Sequence, residues 1–209
     1  LPIAVQAVPF LAAVVVLAAL SAAFGGPWAA SPWAIPFGFV LFFFRDPPRR
    51  VTGDASQILA PADGRVIEVE NLPQGSRIAI FLSVFNCHIN RSPVAGTVMS
   101  VRHTPGRFRP AWDRRVASEN ERNELVIRTA DGDYRVTQIA GVLARRIVCR
   151  KKAGDPVSRG ERIGLIQFGS RTDLVLPPGA EPLVRRGDRV RGGLTVMARA
   201  AAAGQRAAS

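Results

Sequence analysis

At 209 residues the chain has room for one domain with a real core plus an appendage, and is too short for two ordinary domains. Its formal net charge of +12 is carried almost wholly by arginine, Lys151 and Lys152 being the only lysines, and points to an anionic partner, either nucleic acid or a membrane face. Two cysteines, Cys87 and Cys149, make neither a disulfide framework nor a zinc-binding spacing, so no metal site is expected.

From Leu1 to Phe44 there is no charged side chain, and charge begins abruptly at Arg45. Residues 3–24, "IAVQAVPFLAAVVVLAALSAAF", are long enough to cross a hydrocarbon core of about 30 Å as a helix. A second apolar run, "WAIPFGFVLFFF" (33–44), is shorter and contains Pro36 and Gly38, which leaves open a partial span, a re-entrant segment or an interfacial helix. Trp28 and Trp33 lie between the runs, where interfacial anchors are expected. A cleaved secretion signal would carry a basic region before a shorter apolar stretch, so residues 1–44 are expected to be a membrane anchor. Arg45, Arg49 and Arg50 follow directly, which places the remainder, 45–209, on the cytoplasmic side of the cell membrane, and Pro47-Pro48 stiffens the exit. The anionic partner is then the membrane, and nucleic acid is not expected.

Beyond the anchor the pattern is of short segments rich in β-branched residues. Strands are expected at 64–70, 77–83, 96–103, 123–129, 134–141 and 162–168, and one helix at 141–150, "GVLARRIVCR". "DPVSRGERIG" (155–164) and "EPLVRRGDRVRGG" (181–193) form a weak repeat, as do "PADGRVIEV" (61–69) and "SPVAGTVMSV" (92–101). Such paired hairpins are similar to the halves of lipoyl and biotinyl carrier domains. A carrier needs a lysine at a hairpin tip, whereas both lysines here follow the expected helix. The expected fold is mainly β with a small α component, a β-sandwich or barrel-sandwich-like body behind an N-terminal hydrophobic helical anchor.

Chemistry has few places to sit. His88, in "SVFNCHINRSPVAG", is crowded by polar residues directly after a strand, and its charge can change near neutral pH. His103 reads as structural, and Asp63, in the turn "PADG", reads as a turn residue on local grounds alone. Within "ERIGLIQFGSRTDLVLP" (161–177), Gly169 and Ser170 interrupt a strand-like run. Asp63, His88 and Ser170 are the residue types of a serine-hydrolase triad, but no G-x-S-x-G elbow surrounds the serine. A serine directly after a freely bending glycine is instead arranged to attack its own peptide bond.

Several separated motifs in this order resemble the phosphatidylserine decarboxylases, in particular their short branch, which also holds archaetidylserine decarboxylases. They are "FFFRDPPR" (42–49), "PADGRV" (61–66), "FLSVFNCHINRSPVAG" (81–96), "PGRF" (105–108), "SENERNE" (118–124), "QIAGVLARRIV" (138–148) and "GERIGLIQFGSRTDLVLP" (160–177). The resemblance implies a proenzyme that cuts itself between Gly169 and Ser170 into a β subunit (1–169) and an α subunit (170–209), Ser170 becoming a covalent pyruvoyl group. That group serves as the electron sink for decarboxylating a membrane phospholipid, phosphatidylserine or its archaeal ether counterpart, as PLP does elsewhere. Residue by residue it implies catalytic roles for Ser170, His88 and Asp63. The longer branch of the family has a second histidine three residues after the first, assigned to self-cleavage; here Arg91 stands at that position, leaving His88 to serve both steps or Asp63 to act with another partner. Oligomers of the two-subunit unit are compatible with the sequence. The reading of another class is a membrane-tethered module that binds anionic lipids without catalysis.

Overall fold

The change in composition near residue 45 separates two compact units, residues 1–48 and 49–209. The computed structural model describes residues 2–107, 119–141, 146–167 and 170–201, Ser170 by its backbone alone.

With no charge to solvate before Arg45, the first unit is helical over most of its length. Val5–Gly25, which contains helix α1 (Val8–Gly25), is apolar and long enough to cross a membrane. A 3-10 stretch, Pro27–Trp33, leads into α2 (Ala34–Phe43), where Pro36 is tolerated because the first-turn N–H groups need no intrahelical acceptor. The Trp33 indole donates to Ser21 Oγ at 2.9 Å, and Phe10 stacks on Phe44 with ring centroids 5.3 Å apart. Ala4 N–H donates to the Phe44 carbonyl at 2.8 Å, and Ile3 bridges Arg45. This unit is therefore a helical hairpin whose ends meet. Of the two tryptophans expected as interfacial anchors, Trp28 is exposed and Trp33 is tied back to α1.

In the second unit, period-two alternation builds an eight-stranded antiparallel sheet. Its long strands are β2 (Gly64–Leu72), β3 (Gly75–Leu82), β5 (Gly96–Thr104), β6 (Arg122–Thr129), β7 (Gly132–Ala140) and β11 (Ser170–Leu176), with short strands β9 (Pro156–Val157) and β13 (Arg189–Val190) at the edges. The order is β13-β2-β3-β11-β7-β6-β5-β9, which puts β11 near the centre. On one face Ile78 and Val136 flank Leu174 in register, and Ile80, Leu82, Leu125 and Ile127 extend the same buried layer. Two three-stranded sheets add to this core through Ile163, Ile58 and Met197: β4 (Ile89–Arg91), β10 (Arg162–Ile166) and β8 (Ile147–Cys149) in order β4-β10-β8, and β1 (Gln57–Leu59), β14 (Val196–Arg199) and β12 (Glu181–Pro182) in order β1-β14-β12.

The sequence repeats account for the sheet's two edges. "PADGRVIEV" supplies β2, which pairs with β13 from the second basic repeat, and "SPVAGTVMSV" supplies β5, which pairs with β9 from the first. The mainly β fold with an apolar N-terminal helix is as expected. The helix expected at 141–150 is not: residues 142–145 lie outside the described residues, and Ile147–Cys149 form β8 against β10. Ile147 and Val148 are β-branched, and Ile166 opposite Ile147 offers a strand partner that outweighs a short helical periodicity. The strand expected to run on to residue 168 ends at Ile166, and the next begins at Ser170 in a different sheet. The chain thus changes sheet between Ile166 and Ser170.

Candidate active site

Ser170 opens β11, its backbone paired with Leu82 of β3 on one side and Ala140 of β7 on the other. Gly169 lies outside the described residues. Ala140 is itself fixed. Ala140 N–H donates to the Glu121 carbonyl at 2.9 Å, while Asn120, fully buried, donates its side-chain amide to the Ala140 carbonyl at 2.7 Å. Asn120 and Glu121, within "SENERNE", thereby clamp the end of β7 beside Ser170.

His88 is buried and stands directly before β4. Upstream of it Ser83 donates from both N–H and Oγ to Asn86 Oδ1, at 2.9 and 2.8 Å, closing a turn that aims the Asn86 carbonyl at the ring. His88 Nδ1 lies 3.0 Å from that carbonyl. A carbonyl can only accept, so Nδ1 carries the hydrogen and Nε2 is the basic nitrogen of the neutral ring.

Two connections tie this histidine segment to both flanks of the Gly-Ser step. Ile166 N–H, at the end of β10, donates to the His88 carbonyl at 3.2 Å. Asn90 Nδ2 donates to Thr172 Oγ1 at 3.1 Å, two residues into β11. Asn90 Oδ1 in turn accepts from Gln138 Nε2 at 2.8 Å, and Gln138 Oε1 from Asn123 Nδ2 at 3.1 Å. All four side chains are buried, and in a low-dielectric interior a satisfied chain of this kind fixes one arrangement of β4, β6, β7 and β11.

Asp63 has other partners. Arg49 donates to its two oxygens at 2.5 and 2.7 Å, and Gly192 N–H donates to Oδ1 at 2.7 Å. Gly192 can come this close because its backbone packs on Ala62, where an added Cβ would stand only 3.1 Å from Ala62 Cα. Arg49 is read from the sequence among the solvated positive-inside charges; its side chain is instead 7% exposed in this ion pair. Asp63 makes no hydrogen bond to His88 among the described residues. Arg91 donates from a buried guanidinium to the Gly160 carbonyl at 3.0 Å. His103 is half exposed on β5, 3.8 Å from Glu121 Oε1.

Asp63 and Asn86 share a pocket of about 510 Å³ with Arg65, Phe81, Arg189 and Arg191. Beside it, Arg171 pairs with Asp173 at 2.6 Å and with Glu68 at 3.2 Å; burial pushes the Asp173 carboxyl up, against the pull of the Arg171 guanidinium. Sequence reasoning missed Arg49, Asn90, Asn120, Asn123, Gln138 and Thr172. For Asn90, Asn123, Gln138 and Thr172 the only signal was a polar side chain at an inward-facing strand position, which a register is needed to recognise.

The fold and this site define a β-rich domain built around a Gly-Ser step, with an apolar helical hairpin before it. The family model for phosphatidylserine decarboxylase matches residues 37–198. A protein of Pelobacter propionicus named phosphatidylserine decarboxylase proenzyme is 42% identical across 95% of this chain and 96% of its own length. Proteins of the same name from Ralstonia pickettii and Burkholderia mallei are each 46% identical across 91% of this chain, covering 92% and 91% of their own lengths. The chain belongs to the phosphatidylserine decarboxylase family, a family of carboxy-lyases.

Proposed function

We propose that this protein decarboxylates phosphatidylserine to phosphatidylethanolamine and carbon dioxide, after cutting itself between Gly169 and Ser170. The carrying observation is that the segment holding His88 is bonded to both flanks of the Gly-Ser step, through Ile166 on one side and Thr172 on the other. The names of the relatives favour the diacyl lipid over its archaeal ether counterpart.

In self-cleavage Ser170 Oγ attacks the Gly169 carbonyl carbon and gives up its proton; the peptide C–N bond breaks as the ester C–O bond forms. Removal of the serine α-proton then expels Gly169 as a carboxylate, and water releases ammonia from the dehydrated residue to leave the pyruvoyl group at position 170. His88 is the proton carrier, because its Nδ1–H is committed to Asn86 and Nε2 remains basic. The start of a central strand suits the group: a new terminus there leaves β11 in register with β3 and β7. Once formed, the pyruvoyl carbonyl supplies an electron sink for the bond to the departing carboxylate. His88 then returns a proton to the product carbon, and Asp63, oriented by Arg49 and Gly192, presents a fixed carboxylate at the pocket wall. The two subunits stay joined because β11, β13 and β14 of the α subunit pair with β3, β7, β2 and β1 of the β subunit.

Substrate tails remain in the bilayer if the protein is held at the membrane by its apolar hairpin, with the body on the cytoplasmic side that Arg45 and Arg50 favour. Denaturing mass analysis tests the reading. Wild type is expected as fragments 1–169 and 170–209, the second with a hydrazide-reactive terminus, and Ser170→Ala as one folded, inactive chain. An unbroken wild-type chain that still releases carbon dioxide would overturn it.

A further inference from the structure

Arg65 of β2 stands directly opposite Arg189 of β13, and like charges at directly opposed positions of an antiparallel pair destabilise a sheet. Nothing among the described residues offsets this. The guanidinium groups of Arg65, Arg189 and nearby Arg191 have no hydrogen-bond or ion-pair partner among the described residues, although all three line the pocket that contains Asp63. The Asp63 carboxylate does not neutralise them, since both its oxygens are taken by Arg49 and one also by Gly192 N–H. Several other arginines on this sheet have carboxylate partners, Arg77 with Glu68 and Glu70, Arg128 with Asp133, and Arg171 with Asp173, whereas no carboxylate among the described residues pairs with these three.

Resting on the decarboxylase reading above, we infer that Arg65, Arg189 and Arg191 form the cradle for the substrate's phosphodiester. Guanidinium groups bind phosphate oxygens through paired N–H donors, and three of them converging on one pocket match a singly charged diester with two free oxygens. The pocket is also placed to serve the chemistry. Phe81, on its wall, is opposite both Arg65 and Arg171, and the next residue, Leu82, is opposite Ser170. Asn86, another wall residue, holds the His88 ring. A head group anchored by its phosphate at the arginines therefore has its serine portion directed along β3 toward the start of β11. These arginines are positioning residues: they hold the substrate and do not touch the reacting carbon.

The test uses the full-length processed protein in mixed micelles, with Arg65→Gln, Arg189→Gln and the double variant, and Arg102→Gln as a control. Arg102 is exposed on β5, away from the pocket, so its loss removes the same charge from the surface alone. The cradle predicts a KM for phosphatidylserine raised about tenfold or more with kcat within about twofold, since uniform binding is what is lost. It also predicts an unfolding midpoint that does not fall, because a like-charge pair is relieved. Calorimetry with glycerophosphoethanolamine supplies a readout that needs no turnover: wild type binds the diester, the double variant binds it about tenfold or more weakly, and ethanolamine or inorganic phosphate does not match the diester. A KM change no larger than that of Arg102→Gln overturns the assignment, as does inorganic phosphate binding as well as the diester. Wild type that binds the diester through these arginines yet releases no carbon dioxide would sink the decarboxylase reading and leave the cradle standing.

Discussion

Asn90 of β4 donates a hydrogen bond to Thr172 of β11 at 3.1 Å, joining the segment that follows His88 to the strand that Ser170 begins. Eighty-two positions separate the two residues in the chain, so this bond is among the longest-range contacts that bring the candidate groups together.

Cutting that tie has a defined cost. Asn90→Ala leaves Gln138 Nε2 and Thr172 Oγ1 buried without this partner, for an expected loss of about 1–3 kcal/mol. Self-cleavage should slow more than the stability change explains, because β4 is freed to shift against β11. Thr172→Val, which removes only the acceptor, should cost less than Asn90→Ala. Denaturant midpoints and the fraction of cut chain over time measure both, and cleavage at the wild-type rate in Asn90→Ala would show that the tie does not position the site.

The Arg49–Asp63 pair calls for a double-mutant cycle. Removing one partner of a buried ion pair leaves the other charge unsatisfied, and Arg49→Ala or Asp63→Ala alone is expected to destabilise by about 3 kcal/mol. The double variant should recover part of that loss, giving a coupling energy above about 1 kcal/mol. If the single losses simply add, the two groups do not depend on one another for their place in the fold.

Period-two patterns made five of the six long strands legible in the sequence, while β11 was read only as the far part of one strand-like run through Gly169 and Ser170. Ile78, Ile80 and Leu82 announce β3 by alternation alone. The three-residue strands β4 and β8 were not legible, because so short a segment has no period and its conformation is decided by a partner distant in sequence, Arg162–Ile166 in both cases. In the candidate site, Gly169, Ser170 and His88 stood out by chemistry. Arg49 did not, because the same "DPPRR" run that forms its ion pair also satisfies the positive-inside pattern. Asn120 was hidden for a comparable reason: its neighbours in "SENERNE" are the residues of an ordinary solvated turn, and only the pairing of Arg122–Thr129 with β7 carries it to the Ala140 carbonyl.

The Arg128–Asp133 pair across the β6–β7 hairpin gives a pH dependence of known sign. The hydrogen bonds from Arg128, at 2.8 Å each, and its charge hold the Asp133 carboxyl below its ordinary value of 3.8. The folded state therefore binds this proton less readily than the unfolded chain, and the stabilisation is complete above pH 3.8 and disappears as pH falls through the depressed folded value. Because the pair is exposed to solvent and salt, the effect should stay below about 1 kcal/mol. Asp133→Asn should remove it, so that the stability difference between wild type and variant shrinks below pH 3.8. A difference that stayed constant from neutral pH down to pH 2 (~2) would mean that the carboxylate contributes nothing through its charge.

Gly64 tests the packing that shapes the candidate site. It follows Asp63 and opens β2, and a Cβ added there would lie 2.1 Å from the Phe81 carbonyl oxygen and 2.8 Å from Ile80 Cγ2. The first of these is backbone, held in β3 between β2 and β11, so no flexible side chain can yield to make room. Gly64→Ala must instead push the start of β2 away from β3, which moves Asp63 and Arg65 together and opens the pocket they line. The expected loss is about 3 kcal/mol of stability, at the upper end for overpacking, together with slower self-cleavage. The two effects should appear together in a denaturant titration and a cleavage time course. An alanine variant with a wild-type midpoint would show that the strands have slack at this point, and that the spacing between β2 and β3 does not set the geometry of the pocket.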